Sequence, residues 1–222
     1  MLNSNIAVSI LNAEKKGNFL RDLKETVKVN DIKNVSVHID VMDGMFVKEN
    51  GVDIEYVKKA KKEGFFVDVH LMVKDPISYI NDSVKYGADS ITVHYEIENL
   101  EEVLKYLKNL KNMKKLSNIG LALKPDTKID NINEYLNYVD MILFMTVEPG
   151  YGMQKYMPEV EEKILKINNL NKVIQVDGGI NIETIKRAKK CNVNSFVVGS
   201  YLTKNTENLD FRIKELIKEI EG

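Results

Sequence analysis

Short runs of β-branched and other apolar residues alternate along the chain with longer segments whose apolar positions recur every three or four residues. The runs are IAVSIL (6–11), NVSVHID (34–40), FFVDVHLMV (65–73), DSITVHY (89–95), NIGLALK (118–124), DMILFMTV (140–147), KVIQVDGG (172–179) and SFVVGS (195–200). Their length and make-up predict eight β-strands. Between them, Ile77, Ile80 and Val84 share one helical face, and so do Leu100, Val103, Leu104, Leu107 and Leu110. A last helix with Ile213, Leu216, Ile217 and Ile220 closes the chain. Such alternation calls for a parallel sheet covered by helices. Eight units with nothing left over predict an α/β fold of the closed (β/α)₈ TIM-barrel type rather than an open doubly wound sheet.

Length and composition agree with one large domain over residues 1–222, since 222 residues at 44% hydrophobic content can build a single sizeable core. No glycine- or proline-rich linker and no low-complexity tract divides the chain. Lys and Arg total 32 against 33 Asp and Glu, a formal net charge of -1. That balance points away from nucleic acid and anionic membranes and toward a small solute as partner. Charges interrupt every apolar stretch before it reaches the roughly 20 residues of a membrane-spanning helix. The single cysteine, Cys191, has no internal disulfide partner, and the first residues lack the pattern of a secretory leader. A reducing, cytoplasmic setting is the expectation, with Cys191 structural. The Lys-rich segments 58–62 and 111–115 read as solvated helix surface.

Polar residues interrupt the strands where a barrel of this type builds its active site, toward the C-terminal strand ends. All three histidines fall there: His38 ends the second strand, His70 the third and His94 the fourth, while Asp40 and Asp177 end the second and seventh. His38 and Asp40 are two apart and project to the same side, within reach of His70 on the next strand. An isolated histidine would be read as an ordinary hydrogen-bonded barrel residue; three at equivalent positions make a mixed imidazole and carboxylate site for one divalent ion. Such donors suit Zn²⁺, Fe²⁺, Mn²⁺ or Co²⁺ better than Mg²⁺ or Ca²⁺. His94 is either a further ligand or a supporting polar residue.

The second half of the chain carries the turns EPGYG (148–152), DGG (177–179) and VGS (198–200). One such turn would mean only a tight loop. Three on one rim, two of them after strands seven and eight, make a phosphate site in which clustered backbone N–H groups bind the anion.

VSIL (8–11), HIDVMDGMFV (38–47), DVHLMV (68–73), MTVEPGYGMQKY (145–156), VDGGIN (176–181) and VGSYL (198–202) occur in this order, and with them the chain resembles the ribulose-5-phosphate 3-epimerase family over nearly its full length. The resemblance implies reversible epimerisation of D-ribulose 5-phosphate to D-xylulose 5-phosphate at C3, a step of the pentose phosphate pathway. It implies one divalent metal ion per subunit on His38, Asp40, His70 and Asp177, with Asp40 and Asp177 as the catalytic acid–base pair. Ser9 and His70 would contact the sugar, and Met42, Met72 and Met145 would line the reacting centre. Gly150, Tyr151, Gly152, Met153, Gly178, Gly179, Gly199 and Ser200, with Asp177, would complete the substrate contacts. A homo-oligomer, dimer or hexamer, is also implied.

The chemistry agrees with proton bookkeeping, because inverting a carbon beside a ketone requires a proton to leave one face and another to arrive on the opposite face. Departures from the family's pattern lie in loops and not in ligands. Val8 stands where proline is usual, Met45 where histidine is usual, KEN (48–50) where proline and asparagine are usual, and Met153 where the GFGGQ loop has glycine. These positions leave open a 3-epimerase of a longer ketose phosphate such as D-allulose 6-phosphate, and a barrel that binds sugar phosphate without turnover.

Overall fold

The computed structural model describes residues 5–167, 170–204 and 206–222. Eight parallel strands close on themselves in sequence order: β1 (Asn5–Ser9), β2 (Val35–Met42), β3 (Val67–Met72), β4 (Ser90–His94), β5 (Asn118–Leu123), β6 (Met141–Met145), β7 (Val173–Asp177) and β8 (Ser195–Val198). The helices are α1 (Lys16–Val29), α2 (Tyr56–Lys62), α3 (Ile77–Tyr86), α4 (Leu100–Asn112), α5 (Val160–Ile167), α6 (Ile182–Lys189), the one-turn α7 (Ser200–Thr203) and α8 (Leu209–Glu221). The expected (β/α)₈ barrel is thus present. No helix among the described residues is long and apolar enough to cross a membrane.

One unit departs from the pattern. Between β5 and β6 the chain forms a single 3₁₀ turn, Ile132–Glu134, in place of a helix. Pro125 and the Asp and Asn residues at 126, 130, 131, 133 and 137 explain this, since short polar side chains compete for backbone hydrogen bonds. Buried Ile132 covers the barrel there instead.

Alternation within each strand decides what the barrel encloses. Val37, Ile39 and Val41 of β2, and Val67, Val69 and Leu71 of β3, join one apolar cluster with helix residues such as Leu20, Val57 and Leu104. The main core therefore lies between barrel and helices. The intervening residues, Ser36, His38, Asp40 and Met42 on β2 and Asp68, His70 and Met72 on β3, face inward and are buried as well.

Pairing of β2 with β3 continues to Met42 opposite Met72, so His38 and His70 sit within their strands rather than at the ends. The apolar residues that follow them extend the pairing.

Strand register is tied at the N-terminal ends by three side chains placed just before even-numbered strands. Asp89, Asp140 and Asn194 accept hydrogen bonds from the backbone N–H groups of Val67, Ile119 and Ile174 at 2.8, 2.9 and 3.0 Å. Lys61 and Lys111, expected on a solvated face, reach these same carboxylates at 2.7 and 2.5 Å. Two lysines of the Lys-rich segments are thus anchors of the barrel floor. Cys191 is buried just beyond α6.

Candidate active site

Two neighbouring strands carry inverted copies of one pattern: His38-x-Asp40 on β2 and Asp68-x-His70 on β3. Their register sets His38 beside Asp68 and Asp40 beside His70, so two imidazoles and two carboxylates share the barrel interior. Asp177, the last residue of β7, approaches from across the barrel. His38 Nε2 and His70 Nδ1 each lie 3.2 Å from Asp40 Oδ1, and 3.9 and 3.8 Å from Asp177 Oδ2. One donor atom from each of His38, Asp40, His70 and Asp177 falls within 4.8 Å of all the others.

Whether these atoms suit a metal can be judged from spacing and from hydrogen bonding. Bonds of about 2.0–2.2 Å in a tetrahedral shell put neighbouring donors about 3.4 Å apart, close to the separations found. His38 Nε2 is fully buried and, though near Asp40, is aligned for a hydrogen bond with no group among the described residues. A buried nitrogen left in that state is costly unless its lone pair is used. Two nitrogens and two carboxylate oxygens suit Zn²⁺, Fe²⁺, Mn²⁺ or Co²⁺. The set fits a divalent ion.

Neighbouring side chains hold the donors in place. Asp40 Oδ2 accepts a hydrogen bond from Ser9 Oγ at 2.7 Å, which fixes the carboxylate plane. On the far side of His38, Nδ1 lies 3.0 Å from Asp68 Oδ2, and Gln175 Nε2 donates to the Asp68 carboxylate at 3.4 Å and to Ser195 Oγ at 2.9 Å. His94 lies outside the set of four; its Nε2 is 2.9 Å from His70 Nε2, on the side of that ring away from the carboxylates.

Charge within this enclosure separates the two aspartates. Burial works against ionisation of Asp40, but the His38 and His70 rings outweigh it and hold the carboxyl well below the usual carboxylate range. Asp177 goes the other way: burial, and then the negative charge of Asp40, push it up to about 7. His38 is penalised by burial yet raised well above its ordinary value by Asp40 and Asp68, whereas burial wins at His70 and lowers it.

Above these groups opens a cavity lined by Ser9, Asp40, Met42, Met72, Met145, Gly150, Tyr151, Gly152, Met153, Asp177, Gly178, Gly179, Gly199 and Ser200, among others. Of the residues expected to touch substrate, His70 alone is absent from that lining, being fully buried below it. Glu148, the first residue of the EPGYG turn, lines the cavity too, as does Asn12, which no sequence signal singled out. Thr146 fixes the DGG turn, its Oγ1 donating to the carbonyls of Asp177 and Gly178 at 2.9 and 2.7 Å. Gln154 staples the facing loop by donating to the carbonyls of Glu148 and Tyr151 at 2.6 and 2.8 Å.

Met153 adopts φ +67°, a left-handed conformation that costs an L side chain roughly 1–2 kcal/mol, at the position where the family's pattern has glycine. The residue is 63% exposed and lines the cavity. Met45, at 72% exposure, also projects from its loop, which Asp43 ties down by accepting from the N–H groups of Met45, Phe46 and Lys74.

Residues 5–203 match the Ribulose-phosphate 3 epimerase family. The chain belongs to this family. Among its relatives, the ribulose-phosphate 3-epimerase of Eremothecium gossypii is 38% identical over 182 residues, covering 74% of this chain and 73% of its own. That of Schizosaccharomyces pombe is 34% identical over 209 residues, 90% of this chain and 87% of its own. The cytoplasmic isoform from Oryza sativa subsp. japonica is 34% identical over 194 residues, covering 84% and 82%. Among solved structures, KGPDC from Streptococcus mutans superposes with a TM-score of 0.71 at 15% identity, over 99% of this chain and 98% of that one. A mutant tryptophan synthase alpha-subunit from Pyrococcus furiosus gives 0.67 at 15% identity, over 97% and 98%. These two share the barrel with this epimerase-family chain.

Proposed function

We propose that this epimerase-family chain interconverts D-ribulose 5-phosphate and D-xylulose 5-phosphate by moving protons on opposite faces of C3. The observation that carries the reading is the pair Asp40 and Asp177: a buried carboxyl from β2 and a half-buried one from β7, brought to one site at the floor of the cavity, with their proton affinities driven apart. Paired carboxyls of this kind hold one proton between them near neutral pH. In one direction Asp40, ionised, takes the C3 proton, and Asp177, protonated, returns one on the other face. In the reverse direction the roles exchange.

The remaining residues orient and shield the sugar. Ser9 keeps Asp40 aimed by its 2.7 Å hydrogen bond, while Met42, Met72 and Met145 exclude water from the planar enediolate. The backbone of the 150–153, 178–179 and 199–200 turns holds the phosphate. His38, Asp40, His70 and Asp177 would hold one divalent ion per subunit, Zn²⁺, Fe²⁺, Mn²⁺ or Co²⁺, which when bound supplies Lewis-acid stabilisation of the enediolate oxygens. The chain works as a single catalytic domain, in the cytoplasm and as a homo-oligomer.

The purified protein, loaded with each of the four ions in turn, is expected to convert D-ribulose 5-phosphate in a coupled assay that detects D-xylulose 5-phosphate. It should act on D-allulose 6-phosphate with lower kcat/KM. No conversion with any ion removes the assignment, and the opposite order of kcat/KM moves it to the longer sugar.

A further inference from the structure

Beyond the four residues of the candidate metal site, a line of side chains leads outward from His70 toward the β5–β6 connection. His70 Nε2 is 2.9 Å from His94 Nε2, and His94 Nδ1 is 2.9 Å from Glu96 Oε2. Glu96 Oε1 accepts hydrogen bonds from the backbone N–H of Lys124 at 2.8 Å and from Thr127 Oγ1. Both imidazoles are fully buried. The Phe46 ring packs against His94 with centroids 4.7 Å apart, and Lys124 Nζ lies over that ring, 4.1 Å from its centroid.

The direction of hydrogen bonding along this line follows from its outer end. A backbone N–H can only donate, so Lys124 fixes Glu96 Oε1 as an acceptor. Glu96 is held ionised, because the hydrogen bonds from His94 and Thr127 outweigh its burial and bring it down to about 2. An ionised carboxylate has no proton to give, so His94 must carry its proton on Nδ1. A neutral imidazole that carries its proton on Nδ1 has a bare Nε2, so across the 2.9 Å contact between the two rings His94 Nε2 is the acceptor. The neighbouring His70 must then donate from Nε2, which leaves the lone pair of His70 Nδ1 facing Asp40 and Asp177.

We propose that Glu96 is a positioning residue, acting through His94 to fix the tautomer and aim of His70 so that Nδ1 is presented as a ready metal donor. This rests on the reading of His38, Asp40, His70 and Asp177 as the ligand set. The reversed relay shows why the carboxylate matters. An amide at position 96 that keeps its oxygen on the Lys124 N–H turns its NH₂ toward His94 Nδ1. His94 Nε2 then carries the proton, His70 takes the other tautomer, and an N–H replaces the lone pair at the ligand position.

The test is Co²⁺ binding to metal-free protein, measured by competition with a chromophoric chelator and by the visible spectrum of the bound ion. Glu96→Ala and His94→Phe are each expected to weaken Co²⁺ by about 10–100-fold, the usual cost of losing a partner behind a ligand histidine. Glu96→Gln should fall in the same direction while preserving side-chain volume, and circular dichroism checks that each variant is folded. Because Glu96 acts through His94, Glu96→Ala in the His94→Phe background should add little further loss. Wild-type-like affinity in Glu96→Ala and Glu96→Gln overturns the proposal, as does a full additional loss in the double variant. Failure of the wild type to bind Co²⁺ overturns the ligand-set reading itself, an outcome distinct from both.

Discussion

Asp177→Asn is expected to lower kcat for D-ribulose 5-phosphate by about 10³-fold while leaving the far-ultraviolet circular dichroism unchanged. Asparagine keeps the shape at the end of β7 but can neither carry the proton nor supply an anionic donor beside His38 and His70. The same substitution has a stability signature with a definite sign. Asp177 in the folded, metal-free protein holds its proton up to about pH 7, above the ordinary value of 3.8. A carboxyl raised in this way loses folding stability as pH rises from about 4 through 7. Asparagine removes that loss, so metal-free Asp177→Asn should melt above the wild type at pH 8 and alongside it near pH 4. Near-wild-type turnover in this variant would contradict the two-carboxyl mechanism.

Gly179→Ala should strike binding rather than chemistry. Gly179 has φ +66°, and an added Cβ would stand 2.5 Å from Tyr156 N and 3.0 Å from Tyr156 Cα. Both are backbone atoms, which cannot rotate aside, so the DGG turn and the 150–156 loop must move apart. With the phosphate bound between those segments as proposed, KM is expected to rise by about 10-fold or more while kcat changes less. A destabilisation of roughly 1–3 kcal/mol should accompany it in urea unfolding. An unchanged KM would place phosphate binding elsewhere on the rim.

The barrel was legible because its strands and helices have different periods. Val37, Ile39 and Val41 alternate with His38 and Asp40, while Leu100, Val103, Leu104 and Leu107 recur at helical spacing. The missing helix between β5 and β6 was less visible, because Ile129, Ile132 and Leu136 retain helical spacing while the Asp and Asn residues among them do not favour a helix. The four donor residues stood out in the motifs, and their spacing on adjacent strands foretold a shared side. What lay behind them did not.

Asp68 and Glu96 could have been found from the same signal that exposed the candidate ligands: Asp68-x-His70 inverts His38-x-Asp40, and His94-x-Glu96 again places an acid two residues from an imidazole. Their roles depend on register and on chain direction across the barrel, which pattern alone does not contain. Lys61 and Lys111 teach the converse. A lysine on an exposed helix looks the same in sequence whether its end is solvated or, as here, meets Asp89 or Asp140 on a neighbouring unit.

The most direct test of the central claim, proton exchange at C3 by Asp40 and Asp177, is to incubate the metal-loaded protein with D-ribulose 5-phosphate in deuterium oxide and follow C3 by nuclear magnetic resonance. D-Xylulose 5-phosphate bearing deuterium at C3 is the predicted product. Epimer formed with its original C3 hydrogen retained would contradict the account.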